Sequence, residues 1–121
     1  MTDVTILHNP RCSTSRAALE AVTEAGAQDV EVIDYLKTPL DEAALRALLA
    51  KLEDAPTDLV RRDAAFAAAG LTEDDVQTAD QVVAVLVAHP QLMQRPVLVR
   101  PDRAIIGRPK NRVPGFLAGS S

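Results

Sequence analysis

The stretch Val4-Thr5-Ile6-Leu7-His8-Asn9-Pro10-Arg11-Cys12-Ser13-Thr14-Ser15-Arg16 changes its periodicity midway, and that change decides the fold. Val4 to Leu7 is a short β-branched run that reads as a strand, broken at His8-Asn9-Pro10. From Ser13 to Ala25 the apolar residues Ala17, Ala18, Leu19, Ala21 and Val22 recur at helical spacing, and Gly26 is a suitable C-terminal stop. Val30 to Leu36 reads as a second strand, with Val30, Val32 and Asp34 on one face. Strand, helix and strand make a βαβ unit whose connection is long enough for parallel pairing.

Further along, Thr38-Pro39-Leu40-Asp41 opens a second helix, with Thr38 as cap, Pro39 at the first helical position and Asp41 as the capping-box acid. Its buried stripe is Leu45, Leu48, Leu49 and Leu52. Another helical piece begins at Thr57, runs through Leu59, Val60, Arg61 and Arg62, and continues past Phe66 to Gly70. Thr78-Ala79-Asp80-Gln81 is a capping box for a helix through Val82, Val83, Val85 and Leu86 to His89, stopped by Pro90. Pro96 to Val99 and Ala104 to Ile106 are two short strands with a hairpin turn at Pro101-Asp102-Arg103. A last helix is expected near Asn111 to Leu117, interrupted by Pro114 and Gly115, with 118–121 a frayed tail. The resulting order is that of an α/β thioredoxin-like fold: a central mixed four-stranded sheet flanked by helices, with a helical insert before the C-terminal β-hairpin. All 121 residues are read as one domain.

Composition narrows the function. A domain of this length buries roughly 65% of its unfolded surface and needs no disulfide or metal to fold. Apolar residues make up 47% of the chain and aromatics only 2%, so Leu, Val, Ile and Ala must build the core. With 13 basic and 17 acidic residues the net charge is −4, a poor match for nucleic acid or a membrane surface. The basic residues nevertheless gather late, as Arg95, Arg100, Arg103, Arg108, Lys110 and Arg112 against the single Asp102, so the C-terminal third is suited to a small anion. One cysteine rules out both a disulfide scaffold and an internal dithiol couple. The first residues show no basic and apolar signal pattern, and no apolar run approaches 18 residues, so a reducing cytoplasm is the expected compartment.

Cys12 is the candidate nucleophile. It stands at or just before the first turn of a helix, where partial positive charge and unpaired N–H groups favour a thiolate. Arg11 and Arg16 are close in sequence, His8 ends the preceding strand, and Ser13, Thr14 and Ser15 keep the turn open and polar. An ordinary thiol of pKa about 8.5 is only roughly 7% ionised at about pH 7.4, and lowering it by two units makes it roughly 90% thiolate. The same N–H groups can seat a tetrahedral oxyanion against the sulfur. The competing view is that Cys12 is a small buried hydrophobe, as free cysteines often are.

Most arginines solvate a surface. Arg95 and Arg108 differ because each precedes a proline and together they bracket the hairpin. In a thioredoxin fold the loop before that hairpin faces the start of the first helix and its proline is usually cis, which places Pro96 opposite Cys12 and lets Arg95 reach the same pocket. A bidentate arginine–oxyanion contact is worth roughly 1.5–3 kcal/mol. His8 is either a polarising partner of Cys12 or simply a strand-end residue. His89, before Pro90, reads as a helix C-terminal cation. No cluster has metal-ligand spacing, so no metal is implied.

His8-Asn9-Pro10-Arg11-Cys12-Ser13-Thr14-Ser15-Arg16 closely resembles the active-site segment of the glutaredoxin-coupled arsenate reductases, the ArsC family. Tyr35-Leu36-Lys37-Thr38-Pro39, Leu59-Val60-Arg61-Arg62, His89 to Pro96 and Ile106-Gly107-Arg108-Pro109 resemble further motifs of that family in the same order. The resemblance implies that Cys12 attacks arsenate, that His8 helps keep it ionised, and that Arg61, Arg95 and Arg108 hold the oxyanion. Arg61 is taken over the adjacent Arg62 as an alignment choice. It further implies no bound cofactor, glutathione as co-substrate thiol, glutaredoxin as the partner that clears a mixed disulfide, and arsenite as product. The lone cysteine independently requires electrons from an outside thiol.

Three neighbouring functions compete. A regulatory, Spx-like protein of the same superfamily usually carries Cys-x-x-Cys at this turn, and here the residue three after Cys12 is Ser15. A monothiol disulfide oxidoreductase acting on glutathionylated proteins suits a reactive thiol but has no need of gathered arginines. A low-molecular-weight phosphatase needs five residues between Cys and Arg, whereas Arg16 follows Cys12 after three.

Overall fold

Alternation along each strand divides the interior into two cores, one on either face of a single sheet. A computed structural model describes residues 4–24, 30–107 and 111–118. Gly26, Arg108, Pro109, Lys110 and the tail beyond residue 118 lie outside the described residues. Strand β1 (Val4–His8) pairs in parallel with β2 (Val30–Asp34), the crossover being α1 (Ser13–Glu24). On its other side β1 pairs antiparallel with β3 (Val97–Val99), which pairs antiparallel with β4 (Ala104–Ile106). The order β2-β1-β3-β4 is the mixed four-stranded thioredoxin-like sheet expected from the element order.

Val4, Ile6, Leu98 and Ile105 face one way and pack with Ala18 and Val22 of α1 and with Val113 and Phe116 of α5 (Arg112–Ala118). Leu7, Val97, Ala104 and Ile106 face the other way, against α2 (Glu42–Lys51) and against the insert that follows it, α4 (Ala79–Ala88) included. Side chains of this size contribute roughly 1.5–3 kcal/mol each when fully buried. Aliphatic residues buried on both faces therefore hold a sheet that has few aromatics. β2 is an edge strand, and Val32 is left 46% exposed.

Several boundaries differ from those expected, each for a local reason. β2 ends at Asp34 rather than Leu36, because the Asp34 carboxylate accepts the Leu36 N–H (3.1 Å) and its carbonyl accepts those of Lys37 and Thr38. The second helix begins at Glu42 instead of near Pro39. Asp41 is its N-cap, accepting the Ala44 N–H at 2.8 Å, and Thr38 is held in the preceding turn. The stretch from Thr57 to Gly70 is not one helical piece. A 3-10 turn (Pro56–Leu59) gives way to extended backbone at Val60, which bridges antiparallel to Met93, and α3 (Ala64–Ala68) starts afresh on an Asp63 cap. Gly70 then leaves α3 with φ of 76°, a left-handed conformation that suits glycine. The last helix runs unbroken through Pro114 and Gly115, since a proline in the first helical turn lacks only an N–H that has no partner there. The α4 capping box and the turn closed by the Arg100 N–H on the Arg103 carbonyl (2.7 Å) match expectation.

Candidate active site

The loop after β1 is tied by its own polar groups. The Cys12 N–H donates to the Asn9 carbonyl at 3.0 Å, and the Cys12 carbonyl accepts the Arg16 N–H at 3.0 Å. Cys12 thus sits immediately before α1, and the Ser13, Thr14 and Ser15 amides are those that a helix leaves without an intrahelical acceptor. Cys12 is 9% exposed. Ser13 is exposed and Thr14 half-buried, as an open turn requires. Ser15 is different: it is fully buried, and its Oγ accepts the Asn9 N–H (3.1 Å) and lies 2.6 Å from His8 Nδ1. The Ser15 hydroxyl thus joins the Asn9 amide to the His8 ring and ties the loop to the end of β1. Burial lowers the His8 pKa, with Arg16 adding to the effect and Asp34 opposing it. His8 is therefore a neutral buttress of the loop at neutral pH and not a standing positive charge. Arg16 is exposed and donates from Nη1 to the Pro10 carbonyl at 3.0 Å, clamping the loop from outside.

The facing wall is the loop before β3. The Arg95-Pro96 peptide is cis and Pro96 is buried. The Arg95 side chain reaches hydrogen-bonding range of both the Cys12 thiol and the Tyr35 phenol. Burial works against the Arg95 charge, but these contacts outweigh it, so its pKa lies above the ordinary value.

The insert supplies the next residue. The Arg61 N–H donates to the Leu92 carbonyl at 2.8 Å and the Gln94 N–H to the Leu59 carbonyl at 2.7 Å, which pins Val60 and Arg61 beside the chain leading to Arg95. Arg61 pairs with Asp63 at 2.9 Å, and its charge acts on Tyr35. Arg62 points elsewhere. It pairs with Glu73 (2.9 Å), donates to Thr57 and to the Val60 carbonyl, and stacks over Phe66. Arg61, not Arg62, is thus the mid-chain arginine on the Tyr35 side.

Among the described residues the late arginines Arg100, Arg103 and Arg112 are engaged away from Arg95 in the contacts that follow. Arg103 pairs with Glu53 and lies over the Phe116 ring, Arg100 donates to the Phe116 carbonyl, and Arg112 pairs with Asp54. Of that run, Arg95 is the described residue that engages Cys12. Among the described residues no group of three or more His, Cys, Asp or Glu side chains is placed to hold a metal, and no helix is long and apolar enough to cross a membrane.

Two residues at the site escape sequence reasoning. Tyr35 is fully buried, with its phenol meeting the Arg95 and Asn9 side chains and its hydroxyl directed to the Met93 carbonyl at 3.5 Å. Asn9 is also buried, and its Oδ1 accepts the Arg11 N–H at 2.9 Å. The available signal was that Tyr35 is the only tyrosine in the chain and stands where β2 ends, at the same end of the parallel β1–β2 pair as the Cys12 loop.

A lone sulfur before the first helix of a thioredoxin-like sheet, engaged by an arginine from the loop opposite, defines a single-cysteine thiol protein of that fold. The chain belongs to the ArsC family, which it matches over residues 7–116. It is 34% identical over 119 residues, 97% of this chain and 100% of the relative, to a protein of Neisseria meningitidis named arsenate reductase. It is 38% identical over 111 residues, 91% and 92% of the two chains, to the uncharacterized protein YfgD of Escherichia coli. The solved structure of an arsenate reductase from Vibrio cholerae superposes with a TM-score of 0.81 at 30% identity, covering 95% of this chain and 98% of that one.

Proposed function

We propose that this protein reduces arsenate, with Cys12 as the nucleophile and an external thiol as the electron source. The observation that carries this reading is the engagement of Cys12 by the Arg95 guanidinium, from the loop that faces the start of α1. A guanidinium at that range favours the thiolate and presents N–H donors to an oxyanion bound beside it.

In the proposed reaction the Cys12 thiolate attacks arsenic and an arsenate oxygen leaves as water, giving a thiol–arsenate adduct. Arg61 and Arg95 hold its negative charge, joined by Arg108 from the chain that follows β4, and the amides of Ser13, Thr14 and Ser15 add donors. Glutathione thiolate then attacks the Cys12 sulfur. A disulfide forms, the sulfur–arsenic electron pair moves onto arsenic, and arsenite departs. Glutaredoxin removes the glutathione and restores the thiol. The single cysteine supports this external route, since the chain has no second thiol to resolve the adduct. Turnover of this kind belongs in a reducing cytoplasm.

The test is arsenate-dependent NADPH oxidation coupled through glutathione, glutaredoxin and glutathione reductase, with Cys12→Ser beside the native chain. Turnover in the native chain and none in Cys12→Ser is the expected result. Absence of arsenate-dependent oxidation in the native chain would overturn the reading in favour of a monothiol oxidoreductase or a regulatory role.

A further inference from the structure

The Tyr35 phenol sits beside the Arg95 guanidinium. It is fully buried at the end of β2, yet its oxygen meets the Arg95 guanidinium, the Asn9 amide and the Met93 carbonyl. Each of these belongs to a different part of the site. Asn9 closes the Cys12 loop through its carbonyl, Met93 is the residue to which the insert bridges at Val60, and Arg95 engages the sulfur itself.

We propose that Tyr35 is the positioning residue of this site, its phenol oxygen fixing the Arg95 guanidinium so that the remaining N–H groups face Cys12 and a bound oxyanion. The proposal deepens the arsenate reading by naming what aims one of its arginines. A neutral phenol is chemically suited to the task. It accepts an N–H from the guanidinium and orients it without cancelling the charge, whereas a carboxylate in its place would neutralise the cation that the thiolate and the anion require. Burial raises the Tyr35 pKa, with the Arg95 and Asn9 hydrogen bonds and the Arg61 charge opposing it, so the phenol stays protonated and neutral at working pH.

The test needs no arsenate, so it stands even if arsenate turnover fails. Iodoacetamide alkylation of Cys12 is followed at about pH 6.5, where an ordinary thiol reacts slowly. Tyr35→Phe keeps the ring and the core, and far-UV circular dichroism verifies its fold. It is expected to slow alkylation about three- to fivefold, Arg95→Met at least as much, and the double variant no more than Arg95→Met alone, because the tyrosine acts through the arginine. Alkylation of Tyr35→Phe at the native rate, or losses that multiply in the double variant, would overturn the proposal. An Arg95→Met chain that alkylates at the native rate would overturn it too. A second readout uses the otherwise native chain. It has one tyrosine and no tryptophan, so its near-ultraviolet emission reports Tyr35 alone. Arg95→Met is expected to change the emission intensity, and identical emission in the two proteins would remove the contact on which the proposal stands.

Discussion

The Gly107 N–H donates to the Pro96 carbonyl at 2.9 Å, and a Cβ on Gly107 would come within 2.9 Å of the Pro96 ring. The end of β4 therefore lies flush against the residue that follows Arg95, and glycine is required there for space alone. Gly107→Ala is expected to push Pro96 away, lowering stability by about 1–3 kcal/mol as small overpacking substitutions do. The same displacement should raise the KM for arsenate, because Arg95 moves with its neighbour. Urea unfolding and steady-state kinetics on one preparation check both effects, and a variant as stable as the native chain would show that the contact is soft.

Arg61 and Arg62 should separate cleanly. Arg61→Ala is expected to raise the arsenate KM about tenfold through loss of an anion contact, with little change in unfolding midpoint. Arg62→Ala should cost about 1 kcal/mol of stability, through its lost bonds to Thr57, Val60 and Glu73, while KM stays within about twofold. The reverse pattern would exchange their roles.

Acid should loosen the protein at His8. The unfolded histidine titrates near pH 6.5, and burial places the folded value below that. The stability that goes with the neutral ring is then fully present above about pH 6.5 and is lost as pH falls from there through the folded pKa. Urea midpoints measured from about pH 7.5 to 5.5 are expected to decline, and a His8→Gln chain should show a flatter profile over the same window. Parallel profiles would assign the acid sensitivity to other groups.

Asp54 joins the insert side of the molecule to the end of β4. It accepts the Ile106 N–H at 2.9 Å and pairs with Arg112 at 3.0 Å, while Arg112 donates to the Ile106 carbonyl at 2.8 Å. Asp54→Ala removes the acceptor of the Ile106 amide and one of the partners of Arg112, and an expected loss of about 1–3 kcal/mol follows. Asp54→Asn keeps an acceptor for Ile106 and should recover part of it. Chemical denaturation of the two variants side by side measures the difference.

Much of this architecture was legible beforehand because local chemistry and tertiary packing agree. The β-branched run at Val4 to Leu7, the Thr78–Gln81 capping box and the Pro101–Arg103 turn each announce their elements through short-range physics. Cys12 and Arg95 were legible for a similar reason: a helix start and an arginine–proline step are both local signals. What stayed hidden depends on distant partners. Val60 and Arg61 look helical until Met93 and Leu92 claim their backbone. Ser15 looks like an open-turn hydroxyl until His8 and Asn9 enclose it. Tyr35 looks like a strand-end aromatic, and its polar role emerges only once Arg95 and Asn9 arrive from other segments.

The bridge between Val60 and Met93 has a meaning beyond the alignment of one strand-like pair. The chain leaves for the insert at Leu59 and returns at Gln94 through the same narrow neck, tied by two backbone hydrogen bonds. The helices between are closed into one loop by that knot, and they pack on α2 and the sheet besides. Arg61 and Arg95 stand on either side of the knot, so their separation is set by the neck and not by the length of chain inside it. A change of chain length at an exposed turn of this segment leaves the two arginines at the same spacing, whereas its buried residues, Val82, Val83 and Leu86 among them, are fixed by the sheet they cover.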